Sequence, residues 1–145
     1  MRFLLTVFFS GLPLIASGGL TFSERNIELS SSPSDEKVSF VFNFSNDGEN
    51  TVHIEDVHVS CACLSAKTDK SVYAVGDKGR LEAVFAIGSF TGVQRKTLTL
   101  VSRDGDSKEI DRVGLLAVLN IPQVITIIPE LLQWSVGEKP EEKAF

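Results

Sequence analysis

The sequence predicts an all-β fold, an antiparallel β-sandwich of about seven strands, on three observations. Apolar residues recur at period two, not at helical spacing. Turns rich in Gly, Asn and Asp fall roughly 8 to 12 residues apart, and the segments between them are short. One apolar and one polar face per strand is the pattern of antiparallel sheets, because parallel sheets are covered on both faces and read as continuous apolar runs.

The chain opens on a segment that reads as an export leader. Arg2 supplies a positive start, Phe3 to Ala16 form an apolar stretch broken by Gly11 and Pro13, and Ala16-Ser17-Gly18-Gly19 offers small residues for cleavage near Gly18. The stretch is shorter than the roughly 20 residues a membrane-spanning helix needs. Residues 1–18 are therefore expected to be a removed signal peptide, with no membrane insertion of the mature chain. No Cys stands near the cleavage point to accept a lipid. The expected location is extracytoplasmic, periplasmic or secreted, in a bacterium.

What remains is roughly 125 residues, the size of one domain, expected over residues 19–122. Val38, Phe40, Phe42 and Phe44 alternate with Ser39, Asn43 and Ser45, so one strand face carries three phenylalanines. Asn46-Asp47-Gly48 is turn chemistry, with the glycine free to adopt a positive φ. The next strand begins Val52-His53-Ile54 and resumes Val57-His58-Val59; the apolar parity flips between, which predicts a bulge at Glu55-Asp56. Leu81, Ala83 and Phe85 alternate after Gly76-Asp77-Lys78-Gly79, and Leu98 and Leu100 follow Thr91-Gly92. Arg103-Asp104-Gly105-Asp106 closes a hairpin to a last strand from Ile110 to Ile121.

Residues 123–145 read as a connector and the start of a second, incomplete repeat. Leu132-Gln133-Trp134-Ser135 overlies Ile27-Glu28-Leu29-Ser30, and at the same offset Glu141 overlies Glu36 and Phe145 overlies Phe40.

Composition narrows the function classes. The formal net charge is −5, one unit more negative once Arg2 leaves. Lys and Arg are scattered, without the basic stripe that would hold a phosphate backbone, so nucleic acid is not an expected partner. Two cysteines are too few for a disulfide scaffold, so a packed core must supply most of the stability.

The run Phe42-x-Phe44-x-Asn46-x-Gly48, then Val52-x-Ile54-x-x-Val57-x-x-Ser60-Cys61-x-Cys63, then Gly76, the Leu81 to Phe85 strand and Gly92, resembles the bacterial family called domain of unknown function 1573. The resemblance covers roughly residues 24–121. It implies an immunoglobulin-like sandwich similar to the ASH and major-sperm-protein domains, and it implies no activity. This chain departs from the family's usual pattern at Ala62, where a Gly separates the thiols, at Leu64, where a Thr follows them, and at Val75, where a Pro precedes the turn glycine.

Ser60-Cys61-Ala62-Cys63 is the one chemically unusual motif. In an extended strand both cysteines leave the same face, their Cα atoms about 6.6 Å apart at ~3.3 Å per residue. That is near the upper limit for a disulfide and makes closure strained. Three roles stay open: structural packing or a strained local bridge, a redox or partner-linking thiol pair, and a thiolate site for Cu(I) or zinc. His53 and His58 are the only histidines and do not complete such a site, since the parity of Val57 and Val59 turns His58 to the opposite face and H-x₄-H-x₂-C-x-C is not structural-zinc spacing. No nucleophile elbow, zincin helix or phosphate loop is present, and Asp104-Gly105-Asp106 lacks calcium-loop spacing. The sequence therefore reads as a non-catalytic, exported module for protein–protein contacts or cell-envelope assembly, with no cofactor. The alternative is a thiol-based copper, zinc or redox protein using Cys61 and Cys63.

Overall fold

A computed structural model describes residues 19–105 and 107–123. The leader over residues 1–18 and the expected repeat beyond residue 123 lie outside the described residues.

Nine strands run in chain order: β1 Leu20–Phe22, β2 Asn26–Ser30, β3 Lys37–Asn46, β4 Val52–Val59, β5 Leu64–Thr68, β6 Val72–Tyr73, β7 Lys78–Ala86, β8 Gly92–Asp104 and β9 Asp111–Ile121. They form two sheets, one ordered β1-β3-β7-β5 and the other β2-β9-β8-β4-β6. The expected sandwich is there, with nine strands in place of about seven. The surplus lies in β1 and β6, of three and two residues, which are too short to carry a period-two signature. No described helix is long and apolar enough to cross a membrane.

The alternation read from sequence is the one that builds the core. Phe40, Phe42 and Phe44 of β3 pair in register with Ala83, Leu81 and Gly79 of β7, and their side chains are buried. Leu98 and Leu100 of β8 meet them from the second sheet, with Leu115, Ala117 and Leu119 of β9 beside them. Aromatic contacts support this packing: Phe44 lies 5.1 Å from Phe22 in a tilted pair and 4.9 Å from Tyr73 in an edge-on one, ring centre to ring centre. The β4 bulge falls where the parity flips, with the register against β8 shifting between Ile54 and Asp56. Glu55, turned outward there, pairs with Arg103 of β8 at 3.0 Å.

Two expectations need correction. One strand pair is parallel: Asn26 to Ser30 of β2 run alongside Leu116 to Asn120 of β9. The chain leaves β1 in the first sheet and continues forward into β2 in the second, so it reaches β9 without reversing. The second correction concerns Gly48. Positive φ angles occur at Gly76, Gly88, Gly92 and Gly105, not at Gly48. Gly48 is small because Gly19 crosses it closely; a Cβ on Gly48 would stand 2.7 Å from the Gly19 Cα.

Candidate functional site

The thiol motif sits at one end of the sandwich, where β4 gives way to β5 and β7 to β8. It is a turn, not an extended strand, which corrects the geometry expected from spacing. The Leu64 amide donates to the Cys61 carbonyl at 3.2 Å, folding Cys61 to Leu64 back on themselves. The two Cα atoms therefore approach to 5.2 Å, and Cys61 and Cys63 form a disulfide.

Hydrogen bonds outside the bridge fix the turn on both sides. The Ser60 amide donates to the Thr97 carbonyl at 3.1 Å, and the Ser60 hydroxyl accepts from the Thr97 amide at 3.2 Å. On the other side the Ala86 amide donates to the Cys63 carbonyl at 2.8 Å, and Leu64 begins the β5 ladder opposite Phe85. Each cysteine is half-buried, packed against the edge of the core. Because the bridge spans a single residue, it removes little freedom from the unfolded chain, about 1.6 kcal/mol on the loop-entropy relation against about 3 for a 15-residue loop.

The same end holds a lysine that sequence reading missed. Lys96 is only 8% exposed and shares the inward face of β8 with Leu98 and Leu100. Its ammonium stands 4.4 Å from the centre of the Phe90 ring and 5.0 Å from that of Phe85. Two aromatic faces thus stabilise the cation in place of a carboxylate. Extending the parity of Leu98 and Leu100 back by one step would have placed Lys96 inward.

Neither His53 nor His58 lies at the thiol turn. His58 is exposed and lies 3.4 Å from Asp56, a surface contact. His53 is half-buried at the far end of β4, opposite Arg103 and Val72. Among the described residues no group of three or more His, Cys, Asp or Glu side chains converges as a metal site would require.

At the opposite end the fully buried polar side chain is neutral. Asn46, fully buried, donates to the carbonyls of Asn50 at 2.8 Å and Tyr73 at 2.9 Å and accepts from the Gly48 amide at 3.1 Å. The Tyr73 hydroxyl donates to Asp69 at 2.7 Å. Burial first, and then the Asp69 carboxylate, push the Tyr73 phenol up to about 12. Partial desolvation raises the Asp69 carboxyl, but hydrogen bonds from the Arg80 amide and the Tyr73 hydroxyl outweigh it and hold it below the usual carboxylate range.

Along one flank between the two ends, β4 and β5 both present open edges. β6 covers β4 at Val52 and His53, the Ser71 carbonyl just before β6 takes the Ile54 amide at 2.8 Å so that the open part of β4 begins at Glu55, and β5 pairs with β7 alone. A cleft of about 270 Å³ separates the edges, lined by Ile54, Glu55, Asp56, Val57, Ala66, Lys67, Thr68 and Ser71.

The family described as "Protein of unknown function (DUF1573)" matches residues 20–113. No sequence match to a curated protein was found. Among solved structures, the chain is similar to the ASH / PapD-like domain of human CEP192, at TM-score 0.60 and 10% identity over 86% of this chain and 99% of that domain. It is similar to the VesB protease of Vibrio cholerae at TM-score 0.58 and 18% identity, over 70% of this chain but only 32% of that one. It is similar to the YadV chaperone at TM-score 0.51 and 12% identity, over 77% of this chain and 56% of that one. The chain thus spans about a third of the protease and just over half of the chaperone. At these identities the likenesses are of fold.

Proposed function

The chain belongs to the DUF1573 family of proteins of unknown function, and on that premise we propose that it is a non-catalytic, exported immunoglobulin-like module for protein–protein contacts or cell-envelope assembly. The observation that supports this reading is the flank where β4 and β5 run out side by side with unpaired edges over the cleft between them. An open edge offers a row of amides and carbonyls to an extended segment of a partner, which is how sheet augmentation gains affinity. Glu55 and Asp56 on one wall and Lys67 on the other give that cleft charges of both signs. Export rests on the leader-like segment over residues 1–18.

A copper or zinc site on Cys61 and Cys63 would need both sulfurs as thiolates, whereas here they are bonded to each other. Of the two thiol-based readings, the bridge favours redox chemistry.

A photo-crosslinking residue at Lys67 or Asp56 should capture one discrete partner in cells. The same residue at Val41, exposed on the outer face of β3, should capture none. Absence of a discrete adduct at both edge positions would overturn the binding role. Sequencing of the mature protein should place its N-terminus between Ser17 and Leu20, and a retained Met1 would overturn export.

A further inference from the structure

We propose that the Cys61–Cys63 bridge is a thiol–disulfide exchange site that accepts electrons from the dithiol of an exported protein. The proposal stands on the turn's own geometry and is independent of the open-edge reading.

Three observations carry it. Both cysteines are only partly buried at the end of the sandwich, so an incoming thiolate can approach the bridge. It is not what holds its turn in place, because hydrogen bonds from Ser60 to Thr97, Leu64 to Cys61 and Ala86 to Cys63 fix the backbone on both sides. Opening the bridge therefore leaves the two sulfurs held close, ready to close again. The third is the cation at this end. Ser60 is bonded to Thr97, the neighbour of Lys96, and the Lys96 ammonium rests over Phe85, whose backbone pairs with Leu64. A positive charge at this end favours a departing thiolate, and better leaving groups speed exchange.

The step balances without any further oxidant. A thiolate of the partner attacks Sγ of Cys63, the sulfur–sulfur bond breaks, and its electron pair leaves on Sγ of Cys61. The partner's second thiolate then attacks its own sulfur in the mixed disulfide and releases Cys63. The two protons lost by the partner's thiols end on Cys61 and Cys63. The partner is oxidised to a disulfide by two electrons, and this chain is reduced by two.

Reduced glutathione, a monothiol probe, followed by alkylation and intact mass on the folded protein, reads the site directly. Opening should add two alkyl groups per chain while circular dichroism and the thermal midpoint are retained. Cys61→Ser should trap a stable mixed disulfide with oxidised glutathione on Cys63. Lys96→Met should slow opening by about tenfold, and Lys96→Arg should restore it. A bridge that opens only in denaturant, or whose opening unfolds the protein, would overturn the proposal whatever the variants do. Unchanged opening rates in a folded Lys96→Met would remove Lys96 from it.

Discussion

The two ends of this sandwich solve the same problem in opposite ways. At the end near Asn46, the fully buried polar side chain is neutral and multiply bonded: one side-chain amide closes the β3–β4 turn, holds the Tyr73 carbonyl and accepts from Gly48. At the end near Cys61 the buried polar group is a charge, Lys96, held over aromatic faces, and the connection is a covalent bond across one residue. The first arrangement is costly to disturb, because removing one partner leaves buried groups unsatisfied. The second can change state while its hydrogen-bonded backbone stays in place. The difference teaches where stability and chemistry are separated in a small domain.

Substitutions graded along the molecule can break that comparison. The largest effect belongs to the middle that both ends share. Phe42 is fully buried between the sheets, and Phe42→Ala should cost about 3–5 kcal/mol in denaturant unfolding. A loss under about 1 kcal/mol would mean that the strand faces are assigned the wrong way round.

Next comes the neutral end. Asn46→Ala takes the side-chain donor from the carbonyls of Asn50 and Tyr73, leaving the Gly48 amide only its bond to the Gly19 carbonyl, and should cost about 2–4 kcal/mol. A cost near that of an exposed turn substitution would erase the contrast between the ends.

How far the sequence foretold these ends depends on whether the signal was local. The Phe40-Phe42-Phe44 alternation and the β4 bulge are both written in parity, and parity survives folding because a core lies on one side of each sheet. Asn46 looked like an ordinary turn residue, since its turn chemistry is local while its bond to Tyr73 spans 27 positions. Lys96 stands in phase with Leu98, yet a lysine carries no sequence mark of burial because charged residues are rarely buried. The thiol spacing implies strand geometry, and the Leu64–Cys61 hydrogen bond that folds the turn back leaves no mark in it. The β2–β9 parallel pair depends on a sheet switch between Phe22 and Asn26 that no periodicity encodes.

Tyr73 sharpens the comparison through pH. Its folded value of about 12 lies above the usual 10, so the neutral phenol is favoured by folding. The resulting stability is whole below pH 10 and is lost as pH rises from about 10 to about 12. Tyr73→Phe should cost about 1–2 kcal/mol at neutral pH and flatten the alkaline limb of a stability–pH curve. Asp69, held below its usual value of 3.8, acts in the other direction. Its contribution is present above that value and is lost as pH falls through the lower folded one. An alkaline limb unchanged in Tyr73→Phe would show that another group carries it.

The smallest effect should come from the most conspicuous bond in the protein. Replacing both cysteines by Ala removes a constraint on three residues, and the entropy restored to the unfolded chain is about 1.6 kcal/mol at most. The Ser60–Thr97 and Ala86–Cys63 backbone hydrogen bonds persist without sulfur, so the folded state loses no backbone bond in addition. The measured loss for Cys61→Ala with Cys63→Ala should therefore be about 1 kcal/mol, well below that of Asn46→Ala, with the unfolding cooperativity unchanged. If the double variant instead lost as much as Asn46→Ala, the bridge would be a structural staple and the two ends would be alike. A small loss, measured beside a large one at Asn46, leaves stability an insufficient reason for two cysteines in this turn and puts the weight on what the bridge can react with.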